Sequence, residues 1–189
     1  MTIFTWATIA SWVLFCSYWI LLRNKTSKNV RERTVRQRYL GPLGYVVIFG
    51  LLYLPLFVSG GFFGRILPSN ALLQGIGATL CMAGIGICIW ARTVLGRNWS
   101  GGVTEKHGHE LVVKGPYRLV RHPIYSGFLT ALAGTCMVTG GLAAMVITFI
   151  YTLALSRKLN SEEALLKDLF PGTYEVYQQQ TQKLIPFIW

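Results

Sequence analysis

Charge is scarce in this chain. Only 13% of its 189 residues are Asp, Glu, Lys or Arg, and only 7 of those are acidic. A soluble domain carries about a quarter charged residues, so the scarcity argues against a water-soluble fold. Cysteine is equally uninformative for crosslinking. Cys16, Cys81, Cys88 and Cys136 all lie in apolar segments, with no CxxC pair and no Cys/His cluster. Neither a disulfide framework nor a zinc site is supported, no metal ligand is assigned, and free thiols packed among helices are the reading adopted. A basic n-region is missing before the first apolar run, which is too long for a signal peptide. That segment is therefore expected to stay in the mature protein. No internal repeat or low-complexity tract is evident, and the length suits one domain over 1–189.

The shortage of acids leaves a formal net charge of +11. Such a charge would suit nucleic acid, but the positive residues cluster beside apolar segments. There they face anionic headgroups and set orientation. Membrane lipids are the expected partner, and nucleic acid is not.

What the chain does have is long uncharged runs. Residues 3–22 carry no charge, enough at 1.5 Å per residue to cross a hydrocarbon core of about 30 Å. A basic loop follows, with Arg23, Lys25, Lys28, Arg31, Arg33, Arg36 and Arg38 against Glu32. Residues 45–63 read as a second span kinked by Pro55, and 71–91 as a third. Glycines 75, 77, 84 and 86 in the third span permit close helix packing. The run 124–156 would extend about 50 Å as one helix, too long for one crossing. Basic residues flank both of its ends, so it is expected to turn back at Gly140-Gly141, giving spans 124–139 and 142–156. The expected architecture is all-α and multi-pass. It has five spans, the last two a short hairpin, with the N-terminus outside and the basic regions cytosolic. Ser161 is expected to cap a separate short helix in the tail, which lies back on the membrane face.

Two polar constellations stand out. Gly115-Pro116-Tyr117 and Arg121-His122-Pro123-Ile124-Tyr125 crowd against the start of the fourth span, with His107 and His109 just before them. Anchoring alone accounts for each residue singly: Pro123 opens a helix, Arg121 snorkels, and Tyr125 joins an aromatic belt. Their density exceeds what anchoring requires. Glu162-Glu163 follows the last span on the same side as His122. Acids favour a helix N-terminus for dipole reasons, yet on a face this basic a carboxylate pair also suits ribose hydroxyls or a cationic ligand.

The order Arg92…Gly96-Arg97-Asn98-Trp99-Ser100, Glu110-Leu111-Val112, Gly115-Pro116-Tyr117, Arg121-His122-Pro123-Ile124-Tyr125-Ser126-Gly127, Glu162-Glu163, Tyr174…Tyr177 and Ile185-Pro186 resembles the isoprenylcysteine carboxyl methyltransferase family, which is related to the phospholipid N-methyltransferases. The match runs from Arg92 to Trp189. The resemblance implies an integral membrane methyltransferase that uses S-adenosylmethionine and releases S-adenosylhomocysteine. A cytosolic pocket is implied, formed by the 92–123 stretch and the tail, within a cofactor region of 96–125 and 157–189. By position, Thr104, His109, Glu110, Leu111, Val112, Tyr117, His122, Pro123, Ile124, Tyr125 and Glu162 would line it. Arg121 or His122 could pair with the methionyl carboxylate. Arg157 and Lys158, just before the acid pair, are the candidates to face an acceptor carboxylate.

The acceptor is expected to be lipophilic, a small molecule or a lipidated substrate, with carboxyl O-methylation favoured. A carboxylate is already ionised at neutral pH and needs no base. A phospholipid or amine acceptor would need deprotonation, for which Glu163 is the candidate. A membrane sterol-type reductase binding NADPH shares a similar His-Pro element, and the acid pair discriminates against it.

Overall fold

The computed structural model describes residues 1–22, 47–58, 60–99 and 111–185, apart from the side chains of Phe63 and Arg97. Among them every regular element is helical. Helix α1 spans Ile3–Leu21, α2 Val47–Leu56, α3 Ala71–Leu95, α4 Pro123–Thr139, α5 Leu142–Leu169 and α6 Thr173–Gln180. Three of these, α1, α3 and α5, are long and apolar enough to cross a membrane, while α2 and α4 are shorter apolar helices. The fold is that of an integral membrane protein.

Polar side chains start the first and third helices. Thr2 Oγ1 accepts from the Thr5 amide at 3.4 Å, and Asn70 Oδ1 accepts from the Leu73 amide at 2.8 Å. Each satisfies one of the amides that a helix start leaves without a partner. Pro123 opens α4 at a position where its missing N–H costs nothing.

Helices α3 and α4 form the tightest pair, and glycine is the reason. A Cβ on Gly77 would meet the Gly134 carbonyl at 2.6 Å, and one on Gly127 would meet the Gly84 carbonyl at 2.5 Å. Two glycines seven residues apart on each helix thus face two on the other, antiparallel, with backbone against backbone. Of the four glycines expected to pack, Gly77 and Gly84 do so. Gly86 has nothing within 4 Å, and Gly75 meets only the Phe4 ring, at 3.6 Å.

Aromatic residues then seat α1 and α2 on this pair. The Trp12 ring lies 4.8 Å from Phe49 and 5.2 Å from Phe128, and its Nε1 donates to Thr135 Oγ1 at 3.0 Å. At the α4–α5 turn Gly140 takes φ +71°, a conformation that suits glycine. Arg65 closes that end, its Nη1 donating to the carbonyls of Val138 at 2.7 Å and Thr139 at 3.1 Å. A cation there complements the C-terminal helix dipole.

Several boundaries differ from those expected. Pro55 ends α2 rather than kinking it: it sits in the closing 3-10 turn Leu54–Leu56, and its ring fills the space where a Cβ on Gly141 would be. Helix α3 runs past Ala91 because Arg92 is absorbed at its end. The Arg92 guanidinium donates to the carbonyls of Gly96 at 2.8 Å and Leu22 at 3.3 Å, and lies 4.4 Å from the Trp99 ring. Ser161 does not cap a new helix. With no proline or glycine after Gly141 until Pro171, α5 continues unbroken, and Ser161 Oγ donates back to the Arg157 carbonyl at 3.2 Å. At 1.5 Å per residue the 28 residues of α5 reach about 42 Å, so its polar last third emerges from a core of about 30 Å.

The glycine seam makes a clear prediction. Gly84→Ala should destabilise the protein by about 1–3 kcal/mol, the usual cost of overpacking, whereas Gly86→Ala should be near neutral. Thermal unfolding in detergent distinguishes the two, and equal melting temperatures would refute the seam.

Candidate functional site

The site is assembled from the start of α4, the emergent part of α5 and the chain after α6. His122 precedes a proline, which disfavours the α region for it, and it adopts φ −127°, ψ 58°. Its carbonyl accepts from the Tyr125 and Ser126 amides at 3.0 and 3.1 Å. The buried imidazole is thereby aimed at α5, where Glu162 and Glu163 stand side by side. Neighbours on a helix diverge by about 100°, so the two carboxylates turn to different partners.

Glu163 takes most of the charge. Its Oε1 accepts from Arg121 Nε at 2.8 Å and lies 3.2 Å from His122 Nε2. Its Oε2 accepts from Gln178 Nε2 at 3.3 Å and lies 3.4 Å from Lys183 Nζ. Burial alone would raise this carboxyl. The hydrogen bonds from His122 and Arg121 and the charges of both outweigh it, and the carboxyl falls from 4.5 to about 2. Glu162 is less enclosed. Its Oε1 accepts from the Tyr125 hydroxyl at 2.7 Å and lies 3.7 Å from Lys158 Nζ, and its Oε2 lies 3.8 Å from His122 Nδ1. One imidazole therefore touches both acids.

The tail supplies the third side. Residues 181–185 run alongside 119–122 in a short parallel pairing. The amides of Arg121 and His122 donate to the carbonyls of Gln182 and Lys183 at 2.8 and 3.2 Å, and Ser126 Oγ donates to the Leu184 carbonyl at 2.5 Å. Arg121 Nη1 adds bonds to the carbonyls of Gln178 and Thr181. Lys183 also reaches Asn160 Oδ1 at 2.6 Å. From α6, the Tyr177 hydroxyl, which burial raises to about 12, donates to the Tyr117 carbonyl at 2.7 Å.

The structure thus brings together Arg121, His122, Tyr125, Lys158, Glu162 and Glu163. Tyr117 and Pro123 are buried beside them, and Ile124 is tied back to α3, its carbonyl accepting from Cys88 Sγ at 3.2 Å. Leu111 and Val112 are half-buried ahead of the 3-10 turn Gly115–Arg118. Arg157 is exposed. Thr104, His109 and Glu110 lie outside the described residues. The sequence reading missed Asn160, Gln178, Thr181 and Lys183. Three of them, Gln178, Thr181 and Lys183, contribute backbone carbonyls, so although the tail as a whole was assigned to the cofactor region, little marks these residues in advance.

The depressed Glu163 carboxyl links stability to acid. Its ion pairs contribute fully above the unfolded value of 4.5 and are lost as pH falls towards about 2. The melting-temperature gap between wild type and Glu163→Gln should therefore close over that interval. A gap independent of pH would show that the ion pairs add nothing.

Residues 77–168 match the model of the isoprenylcysteine carboxyl methyltransferase (ICMT) family. A probable protein-S-isoprenylcysteine O-methyltransferase of Oryza sativa subsp. indica is 38% identical over 81 residues, which is 42% of this chain and 42% of the rice protein. Methanethiol S-methyltransferase 1 of Bradyrhizobium diazoefficiens is 40% identical over 72 residues, 38% of this chain and 24% of that protein. The alignments therefore span less than half the length of these curated relatives. The eukaryotic intramembrane Ras methyltransferase ICMT shares the fold, with a TM-score of 0.68 at 23% identity over 93% of this chain and 63% of that one. The matched segment, just under half of the chain, contains both halves of the cluster, Arg121-His122 immediately before α4 and Glu162-Glu163 within α5; over that segment the chain is similar to the isoprenylcysteine carboxyl methyltransferase family, whose fold it shares.

Proposed function

We propose that this chain is a membrane methyltransferase that uses S-adenosylmethionine to O-methylate the carboxylate of a lipophilic acceptor. The observation that carries the reading is the junction of His122, Tyr125, Glu162 and Glu163 where α5 emerges from its apolar segment. It joins groups suited to a polar, cationic donor to a surface reached by lipid. The same reading takes α1 to α5 as five crossings, with the N-terminus outside and the junction on the cytosolic face, where the basic loop of residues 23–38 would also lie.

The residues present fit the donor. Glu162 has spare acceptor capacity for ribose hydroxyls, the Tyr125 face suits a positive sulfur, and His122 can donate to a carboxylate from one nitrogen. Tyr117, Leu111 and Val112 would supply apolar walls, with Pro123 and Ile124 forming the floor. Thr104, His109 and Glu110 belong to the same assignment by their place in the family motif. When bound, S-adenosylmethionine supplies an electrophilic methyl group. Arg121 and Glu163 are already spent on each other and on the tail, so their part is to hold His122 and the tail in place.

Acceptor chemistry follows from the same electrostatics. A carboxylate needs no deprotonation, so Lys158, with Arg157 beside it, has only to attract and align the anion. An amine would need a base, and Glu163 at about 2 is a very weak one. This favours O-methylation over N-methylation. The same argument allows a thiolate, and the S-methylating relative makes a thiol the acceptor to test in parallel.

Equilibrium binding to the detergent-solubilised protein tests the donor. S-adenosylmethionine should bind, and Glu162→Gln should weaken it by roughly 1–3 kcal/mol, the value of a charged hydrogen bond. Tight NADPH binding with no S-adenosylmethionine binding would overturn the reading. With methyl-labelled donor and an S-prenylated cysteine, the label should be released as methanol by mild base, as an ester requires. Base-stable label in a phospholipid amine would overturn the carboxyl assignment.

A further inference from the structure

Lys158 lies one helical turn before Glu162 on α5. Its Nζ sits 3.7 Å from Glu162 Oε1 and 5.0 Å from the centroid of the Tyr125 ring. The Tyr125 hydroxyl donates to that same oxygen at 2.7 Å, so ring and carboxylate are held as one unit. An aromatic face beside a carboxylate attracts a cation twice over, through the ring quadrupole and through the charge. The occupant here is an ammonium on a flexible four-carbon stem, with 37% of the side chain exposed. It can leave for water at little cost.

We propose that Lys158 is a built-in competitor for the donor's positive sulfur: it fills the Tyr125–Glu162 seat when the site is empty, yields it to the sulfonium, and in leaving becomes available to the acceptor's carboxylate. The inference rests on the methyltransferase reading above. Three properties follow. Binding of a charged donor and of an anionic acceptor favour each other, and the coupling is reciprocal. A neutral thioether gains nothing from the seat and does not displace Lys158. Once an acceptor oxygen has bonded to the methyl carbon and the carbon–sulfur bond has broken with its electron pair left on sulfur, the attraction that held the seat would be gone and Lys158 would return, which weakens the hold on product.

The test compares the affinities of S-adenosylmethionine and S-adenosylhomocysteine for wild type, Lys158→Met and Lys158→Arg in detergent, with melting curves as the check on folding. Lys158→Met should raise the affinity ratio of charged donor to neutral product by about threefold to tenfold, the scale of one exposed ion pair with a cation–π contact. Lys158→Arg keeps a cation on the same turn and should leave the ratio near that of wild type. A ratio unchanged within about twofold in Lys158→Met overturns the proposal, and so does a fall. Should the Met variant fail to fold, wild type alone decides. An S-prenylated cysteine must tighten S-adenosylmethionine more than S-adenosylhomocysteine, and equal effects overturn the proposal. Wild type that binds neither ligand would instead overturn the methyltransferase reading itself, a result distinct from an unchanged ratio.

Discussion

Arg121 and Glu163 meet at 2.8 Å, and most of what surrounds the site is arranged around that contact. Each group makes further bonds that the pairing allows. Arg121 reaches the carbonyls that close α6, while Glu163 collects His122, Gln178 and Lys183. Three chain segments far apart in sequence are thereby fastened at one point: the entry to α4, the emergent part of α5 and the tail. Removing Glu163 would leave the Arg121 guanidinium with backbone carbonyls alone, and removing Arg121 would leave Glu163 only its longer contacts with His122, Gln178 and Lys183. Such losses cost more than the pair itself contributes.

A division of labour results within the acid pair. Glu163 has both oxygens engaged by Arg121, His122, Gln178 and Lys183 and its carboxyl is held far below the usual carboxylate range, so in this structure it ties three segments together. Glu162 keeps open lone pairs and borders an aromatic face, so it is the member positioned to meet a ligand. Adjacent residues on one helix acquire different roles because the helix turns them towards different neighbours. His122, in contact with both, keeps the two in register.

Much of this was legible from residue order. The uncharged run 124–156 was too long for one crossing, which forced a turn at Gly140-Gly141 and put His122 and Glu162 at the same end. The charge pattern and the acid pair then marked the meeting place. The tail was less legible because its principal contacts use backbone carbonyls, which every residue carries and no side chain announces. The glycines of α3 look alike in sequence. Only their partners Gly127 and Gly134 select Gly77 and Gly84, and that selection exists across two helices rather than along one. Arg92 reads as a helix terminator by its charge, yet carbonyls from Gly96 and Leu22 let α3 continue past it.

Helix α5 has a mechanical consequence. It is a single rigid rod, embedded over its first half and carrying both glutamates beyond that point, with no hinge between. Its far end is tied to the start of α4 by the Arg121–Glu163 ion pair and the Tyr125–Glu162 hydrogen bond, and α4 is in turn held to α3 by the glycine seam. The apolar and polar halves of α5 are thus one continuous element, so whatever fixes the depth and direction of the first half also fixes where both carboxylates stand.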